Sequence, residues 1–369
     1  MTQSKAAALF KPFEGGRLKL DNRIVMAPMT RSFSPDGIPG PNVAEYYRRR
    51  AENGVGLIIT EGTLINHPAA GADHDIPHFY GEAALEGWAR VVREVHEAGG
   101  KIAPQIWHTG TARQREKFPD SDADPIGPSG LSLTGEPVSE PLTVSEIKGL
   151  IQAYAQAAAD AKRIGFDAVE LHGAHGYLID QFFWEVTNKR TDEYGGDLVG
   201  RTRFAVEVIE AVRAAVGPDF PIIFRFSQWK AVDYSAKLAA TPEELERFLA
   251  PLSAAGVDIF HASTRRFWEP EFAGSDLNLA GWTRKLTGKP AITVGSVGLN
   301  SEFTSLFESG KGGETASIDN LIERLEREEF DLVAVGRALL TDPAWAAKIR
   351  DGRTDELQPF TRESLATLS

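Results

Sequence analysis

The strongest constraint on the fold of this 369-residue chain is an eightfold alternation of short apolar runs with longer amphipathic stretches. The apolar runs have the length of buried strands and lie at 24–27, 56–59, 101–106, 168–171, 221–225, 257–260, 291–294 and 332–335. Helical patterns lie between them, for example at 42–53, 82–98, 145–164, 201–216, 242–255 and 338–350, and a helix at 319–328 follows a break at 309–318. Eight strand–helix units are the number that a closed, parallel (β/α)8 barrel requires.

The competing architecture is an open, doubly wound α/β sheet, which uses the same alternation. Such a sheet normally carries a G-x-G-x-x-G turn after a strand, and no such turn is present in the chain. We therefore expect a single TIM-barrel domain over residues 1–369. An insertion at 111–142, after the third strand, is rich in Pro, Gly, Ser and Asp and is expected to form a lid over the catalytic face.

Composition excludes several classes of function. The formal net charge of −12 argues against nucleic acid or an anionic membrane as the main partner, because both require a basic surface. The chain contains no cysteine, which excludes disulfides, thiolate-bound zinc and iron–sulfur clusters. It shows neither a signal peptide nor an apolar run of about 18 residues. We expect a cytoplasmic protein that acts on a small molecule, and the oligomeric state stays open.

Polar and glycine residues follow the predicted strands, and a barrel brings the carboxyl ends of its strands to one face. In chain order these residues are Pro28, Met29, Thr30, Gly62, Gln105, Trp107, His172, His175, Tyr177, Arg225, Gly295, Ser296, Gly336 and Arg337. We expect the fourth strand to end at Leu171, so that the two histidines and the tyrosine lie in a loop broken by glycines. This face is the predicted active site.

Glycines after the seventh and eighth strands predict a phosphate site. Backbone N–H groups and a helix N-terminus stabilise a dianion, and Arg337 adds a bidentate donor. The alternative is that Gly295 and Gly336 only permit tight turns. With a phosphorylated ligand, Gln105 and Arg225 become candidates for recognising a planar ring, since an amide donates and accepts and a guanidinium stabilises negative charge. Arg225 has the alternative of pairing with a carboxylate inside the barrel.

His172 and His175 are three residues apart, a spacing that also occurs in metal sites. No third ligand is evident, because the chain has no H-E-x-x-H motif and no cysteine, and we predict no metal. Two structural histidines are a second alternative. The interpretation that uses the whole motif is that two N–H donors polarise one substrate oxygen while Tyr177 supplies a proton to the neighbouring carbon.

Four motifs in the chain resemble the Old Yellow Enzyme family of FMN-dependent ene-reductases. They are Asn22-Arg-Ile-Val-Met-Ala-Pro-Met-Thr-Arg31, His172-Gly-Ala-His-Gly-Tyr-Leu178, Asn188-Lys-Arg-Thr-Asp-Glu-Tyr-Gly-Gly196 and Ala334-Val-Gly-Arg337. They occur in the family's order, each in its expected barrel unit, and the resemblance extends from Leu9 to about Arg350. The polar tail beyond Arg350 does not resemble the aromatic-rich tail of several family members.

The resemblance implies a role for each candidate residue. Pro28, Met29 and Gly62 would line the isoalloxazine of tightly bound FMN, Thr30 would bind the flavin carbonyl next to N5, and Gln105 and Arg225 would bind the pyrimidine edge. Gly295, Ser296, Gly336 and Arg337 would hold the phosphate. His172 and His175 would bind the substrate oxygen, Trp107 would lie in the substrate pocket, and Tyr177 would be the proton donor.

The resemblance also implies the activity, that of an NAD(P)H-dependent FMN oxidoreductase of the NADPH dehydrogenase type. NAD(P)H would reduce the flavin, and flavin N5 would give hydride to the β-carbon of an α,β-unsaturated carbonyl or nitro compound. Two alternatives stay open. A flavin-free, phosphate-binding lyase or isomerase would need a base such as Glu61 or Glu170, and a non-catalytic flavin-binding protein would need no proton donor at Tyr177. The aromatic and basic segment 264–270 is expected to help wall the pocket, and a packing role at the surface is the alternative.

Overall fold

The computed structural model describes residues 6–71, 73–113, 123–302 and 312–369. Eight parallel strands close into a barrel. The strands are β3 (Ile24–Met26), β4 (Leu57–Leu64), β5 (Lys101–Trp107), β6 (Val169–His175), β7 (Ile222–Lys230), β8 (Ile259–Ser263), β9 (Ala291–Val294) and β10 (Leu332–Val335). Their order around the barrel is β10-β3-β4-β5-β6-β7-β8-β9. The (β/α)8 barrel predicted from the alternation of strands and helices is confirmed.

A short antiparallel hairpin precedes the barrel and closes one of its ends. Its strands are β1 (Phe13–Gly15) and β2 (Leu18–Leu20). Phe13, Leu18 and Leu20 are buried in one cluster with aliphatic side chains of the barrel strands. The glycine turn of the hairpin contacts Ile259 at the start of β8, so the hairpin covers the amino ends of the strands. The carboxyl ends of the strands are therefore left open for a functional site.

The helices pack their apolar faces on the outside of the barrel. They are α1 (Pro41–Glu52), α2 (Glu82–Glu97), α3 (Val144–Arg163), α4 (Leu178–Phe183), α5 (Arg203–Val216), α6 (Pro242–Ala255), α7 (Leu279–Thr287), α8 (Asp319–Glu326), α9 (Arg337–Thr341) and α10 (Trp345–Asp351). Thr143 begins α3 with a reciprocal capping box to Glu146. Among the described helices, none combines the length and the apolar character needed to span a membrane.

Several boundaries differ from the predictions. The strands β4 and β7 continue to Leu64 and Lys230, beyond their predicted ends at 59 and 225. The helix predicted at 338–350 is divided into α9 and α10, because Pro343 lies between them and a proline removes a backbone donor. The strand predicted at 257–260 is shifted to β8, which pairs with β7 as far as Ser263. The fourth strand does not end at Leu171: β6 continues to His175, since His172 pairs with Arg225 and His175 with Lys230 of β7.

The insertion predicted to be a lid is only partly described, because residues 114–122 lie outside the described ranges. Its role as a lid therefore stays a prediction. In the described part, the Leu133 side chain lies next to Gly176, so that a Cβ at position 176 would be 3.2 Å from Leu133. The predicted break at 309–318 also lies partly outside the described ranges.

Candidate active site

A cavity of about 440 Å³ opens at the carboxyl ends of the barrel strands. This volume lies within the usual range for a small-molecule site. Every predicted site residue except Gly62 lines the cavity: Pro28, Met29, Thr30, Gln105, Trp107, His172, His175, Tyr177, Arg225, Gly295, Ser296, Gly336 and Arg337. The barrel thus brings together predicted residues from six of its eight units.

Gly62 has a different place from the one expected. It lies inside β4, where the register with β5 shifts between Ile59 and Gly62. A Cβ at position 62 would lie 2.4 Å from Cε3 of Trp107. The lack of a side chain therefore leaves room for the Trp107 indole, and it is the indole that reaches the cavity.

One end of the cavity is formed by the turns after β9 and β10. Arg337 begins α9, and its Nη2 donates to Ser296 Oγ at 3.3 Å. Burial lowers the pKa of Arg337 to about 10, so its guanidinium stays charged at neutral pH. Ser296 has a positive φ of 50°, directly after Gly295 with φ 144°. A fixed cation beside a strained turn is the donor set expected of an anion site.

The middle of the cavity presents an amide and a guanidinium. Gln105 Nε2 donates to Glu170 Oε1 at 2.8 Å, and the other oxygen of Glu170 is 2.6 Å from His261 Nδ1. The Gln105 side-chain oxygen has no partner among the described residues. Among the described residues, Arg225 hydrogen-bonds no carboxylate: its Nη2 donates to Ser263 Oγ, and its Nε is buried without a partner.

Glu61, the other candidate base, is buried beside the loop that carries Thr30. Its Oε2 accepts hydrogen bonds from the backbone N–H groups of Arg31 (2.8 Å) and Ser32 (3.0 Å). Burial raises the pKa of Glu61 to about 7. Glu61 and Glu170 do not line the cavity. Each carboxylate forms hydrogen bonds with residues in or beside the cavity wall. Neither carboxylate is therefore placed to act as a base on a ligand.

His172 and His175 lie on one wall with their rings perpendicular, 5.2 Å apart at 90°. The backbone N–H of Ala174 donates to His172 Nδ1 at 3.3 Å, and the His172 ring stacks on Trp107 at 5.9 Å. The His175 ring stacks on Trp229 at 4.3 Å. His175 also has a positive φ of 66°, which turns its side chain out of the regular strand pattern.

Both histidines are neutral at physiological pH. Burial lowers the pKa of each imidazole well below 6.5, and the nearby Arg225 charge lowers it further. A neutral imidazole has one N–H donor and one acceptor nitrogen. The wall therefore offers two neutral N–H donors instead of two cations.

Tyr177 completes this wall. Its ring lies 5.1 Å from the His172 ring and 4.8 Å from the Trp107 ring, edge-on to both. Its hydroxyl has no hydrogen-bond partner among the described residues, and Tyr177 lines the cavity. Burial raises the pKa of Tyr177 above 10, so the phenol keeps its proton at neutral pH. An unengaged, protonated phenol is suited to donate that proton to a ligand.

Sequence reasoning missed several wall residues. Trp229, Tyr234 and Ser263 line the cavity. Thr264 and Arg265 of the segment 264–270 also line it, as expected for that segment. The Arg265 guanidinium lies 4.1 Å from the centre of the Tyr234 ring. Trp229 and Ser263 lie near the carboxyl ends of β7 and β8. That position in the sequence could have identified them as candidate site residues.

The tail beyond Arg350 packs beside the first barrel unit. The Arg31 guanidinium donates to the backbone carbonyls of Leu365 at 3.0 Å and Thr367 at 2.8 Å. Arg50 bonds the carbonyl of Ser369. Leu365 lines the cavity, so the tail contributes to the site although its sequence is polar and irregular.

A second cavity adjoins the first at Trp107, His175 and Tyr177. Its other walls include Ser132, Leu133 and Thr134, from the described part of the insertion. The insertion thus borders the space next to the Tyr177 ring. Within the described ranges, no group of three or more His, Cys, Asp or Glu side chains is arranged to hold a metal ion.

Comparison with known proteins identifies the family. Residues 8–356 match the model of the NADH:flavin oxidoreductase / NADH oxidase family. The chain belongs to this family. This membership agrees with the resemblance to the Old Yellow Enzyme family.

Individual members of the family are similar over most of the chain. NADH oxidase of Thermoanaerobacter brockii is 35% identical over 95% of this chain, and 12-oxophytodienoate reductase 7 of Oryza sativa subsp. japonica is 40% identical over 59%. The chain spans 52% and 58% of the length of these two relatives. The solved structure of morphinone reductase in complex with tetrahydroNAD superimposes with a TM-score of 0.80 at 30% identity, over 97% of this chain and 93% of that one.

Proposed function

We propose that this family member is an ene-reductase that reduces α,β-unsaturated carbonyl or nitro compounds. The observation that carries the proposal is the wall formed by His172, His175 and Tyr177, which offers two neutral N–H donors and an unengaged phenol to one cavity. An oxidoreductase that only passed electrons to molecular oxygen would not need these two N–H donors and this phenol. The substrate is a small molecule with a conjugated oxygen function.

The cavity residues fit FMN. Arg337 and Ser296 supply a cationic end for the phosphate, and Gln105 and Arg225 supply free hydrogen-bonding atoms for the polar edge of the ring. Pro28 and Met29 offer an apolar surface for its face, and the exposed Thr30 also lines the cavity. FMN bound by these residues would supply the hydride chemistry between NAD(P)H and the β-carbon of the unsaturated substrate.

The two histidines bind and polarise the substrate oxygen. As hydride reaches the β-carbon, negative charge builds on this oxygen, and preorganised N–H donors stabilise the charge more than they stabilise the neutral substrate. Trp107 and Trp229 stack against the two imidazoles and hold their planes. The donors need no reorganisation during the reaction, which is the condition for an electrostatic contribution to catalysis.

Tyr177 donates the proton that completes the reduction. Its phenol is protonated throughout the neutral range and has no competing acceptor among the described residues. A phenol at this place delivers its proton to the α-carbon, the position next to the polarised carbonyl. Trp107 packs against the edge of the Tyr177 ring and so forms part of the substrate wall.

The flavin-free alternative is disfavoured by the state of its candidate bases. Glu170 hydrogen-bonds Gln105 and His261, and Glu61 accepts two backbone N–H groups, so neither carboxylate is placed toward a ligand in the cavity. A non-catalytic flavin-binding protein is disfavoured by the Tyr177 hydroxyl, which forms no structural hydrogen bond with described residues and therefore serves no purpose in the fold.

The proposal is tested by incubating the FMN-loaded protein with NADPH and 2-cyclohexenone under anaerobic conditions. We expect NADPH oxidation that depends on the enone, with cyclohexanone formed in equal amount. Incubation with NADH instead measures the coenzyme preference. A protein that binds FMN but oxidises NADPH at the same rate with and without the enone would overturn the ene-reductase proposal while leaving the family assignment intact.

A further inference from the structure

Ser263, the last residue of β8, lies between the substrate wall and the ring-recognition residues. Its Oγ is 2.7 Å from His175 Nε2 and accepts a hydrogen bond from Arg225 Nη2 at 3.3 Å. Ser263 is 2% exposed, so water does not satisfy its hydroxyl freely. One hydroxyl thus connects a residue proposed to hold the substrate oxygen with a residue proposed to hold the flavin ring.

The hydrogen-bonding capacity of these groups favours one direction for the Ser263–His175 bond. A serine hydroxyl has a single proton to donate, and a guanidinium only donates. Arg225 therefore takes one of the hydroxyl's acceptor sites and cannot receive its proton. Among the described residues, the only other side chain within hydrogen-bond distance of Ser263 Oγ is His175, through Nε2.

We propose that Ser263 is a positioning residue that sets the tautomer of His175. The Ser263 hydroxyl donates to Nε2, so the neutral His175 carries its proton on Nδ1. His175 Nδ1 has no hydrogen-bond partner in the described part of the chain and is available to the substrate oxygen. The donor from Arg225 polarises the hydroxyl and strengthens the bond that it makes to His175.

His172 is set in the opposite tautomer by the backbone. The N–H of Ala174 donates to His172 Nδ1, so the proton of the neutral His172 lies on Nε2. The two histidines therefore present different ring nitrogens to the cavity, Nε2 from His172 and Nδ1 from His175. If His175 took the other tautomer, it would present a lone pair to the substrate oxygen, and two lone pairs repel each other.

The functional meaning of this inference rests on the proposed ene-reductase activity, but the position of the proton does not. The test is a long-range 1H–15N spectrum of the FMN-bound protein labelled with 15N-histidine, in which a protonated and an unprotonated ring nitrogen have well-separated shifts. The His175 signals are assigned by their loss in His175→Gln. We expect Nε2 of His175 to be unprotonated and Nδ1 to be protonated in the wild-type protein.

Three variants separate the hydroxyl from general effects of substitution. Ser263→Ala should move the His175 pattern toward the Nε2–H tautomer or a mixture, and Ser263→Thr, which keeps a hydroxyl, should restore the wild-type pattern. Thr264→Val removes the hydroxyl of the next residue, which bonds the Val294 carbonyl, and should leave the His175 pattern unchanged. The His172 pattern should be the same in all variants and reports that the wall has kept its fold.

Binding of a phenol, which presents an oxygen like that of the enolate, provides a second readout. We expect phenol to bind about fivefold more weakly to Ser263→Ala than to the wild type, the usual effect of losing one hydrogen bond. An Nε2–H tautomer in the wild type, or an unchanged tautomer in Ser263→Ala, would overturn the inference even if enone reduction is observed. Conversely, a protein that shows the expected tautomers but does not reduce the enone would support the assigned position of the His175 proton. That result would reject only the proposed ene-reductase function.

Discussion

Gln105 Nε2 donates to Glu170 Oε1 at 2.8 Å, and both residues are buried inside the barrel. The Glu170 oxygen accepts the N–H of the Gln105 amide, so this bond fixes which end of the amide faces Glu170. The amide oxygen is left for the cavity, where the proposed flavin has an N–H to offer. Glu170 thus acts on the ring site through another residue, although it does not line the cavity itself.

Glu170→Gln should weaken FMN binding by roughly fivefold to tenfold, because a glutamine at 170 can donate as well as accept and no longer fixes the Gln105 amide. The dissociation constant is measured from the quenching of flavin fluorescence in the deflavinated protein. Glu207→Gln is a matched control, since Glu207 pairs with Lys148 and Arg203 away from the cavity. Equal FMN affinity in Glu170→Gln and the wild type would show that Gln105 is oriented by other contacts.

Arg337→Met should weaken FMN binding by roughly tenfold to a hundredfold, since hydrogen bonds to a charged group contribute more than neutral ones. Riboflavin, which lacks the phosphate, should bind the variant and the wild type equally. The measurement is therefore the ratio of the FMN affinity to the riboflavin affinity, compared between the variant and the wild type. An equal loss for riboflavin and FMN would mean that Arg337 supports the fold of the turn and does not bind the phosphate.

Glu61 should make the stability of the protein depend on pH. The pKa of Glu61 is raised by burial to about 7, so between pH 4.5 and 7 the folded chain retains a proton that the unfolded chain has released. The folded state is therefore progressively destabilised as pH rises through this window, by about 3 kcal/mol in all. Glu61→Gln does not titrate and should lack this contribution.

This prediction is checked by urea unfolding of both proteins at equal flavin occupancy from pH 5 to pH 8. The free energy of unfolding of Glu61→Gln, minus that of the wild type, should rise by about 2 to 3 kcal/mol across the range. A difference that stays constant would show that Glu61 is already ionised in the folded protein at pH 5. Other titrating groups cancel in this comparison because both proteins share them.

The barrel and most of its site were predictable, because both depend on local patterns. Apolar runs alternate with helical patterns along the chain, and functional residues follow the strands directly in sequence. The end of β6 was not predictable, since it is set by pairing with β7. Gly173 looked like a strand breaker, yet a Cβ there would lie 2.5 Å from the Phe224 ring, so the glycine permits close packing within the strand pair.

The contacts that organise the site come from distant parts of the chain and left little signal in the sequence. Ser263 and Trp229 contact His175 across 88 and 54 positions, and no spacing rule connects them. The tail is held through its backbone carbonyls by Arg31, which places no demand on its side chains. A polar, irregular segment can therefore form part of a cavity wall without any pattern that predicts it.

Tyr177 is proposed to protonate the substrate during its reduction on the flavin, and the two half-reactions of Tyr177→Phe test this role most directly. Under anaerobic stopped-flow conditions, NADPH should bleach the flavin of the variant as fast as that of the wild type. Reoxidation by 2-cyclohexenone should be slower by roughly a hundredfold to ten-thousandfold, the usual contribution of a general acid. Tyr154→Phe, which removes a buried hydroxyl of α3 without a partner among the described residues, should change neither rate. Reoxidation at the wild-type rate, or an equal loss in both half-reactions, would contradict the role of Tyr177 as proton donor.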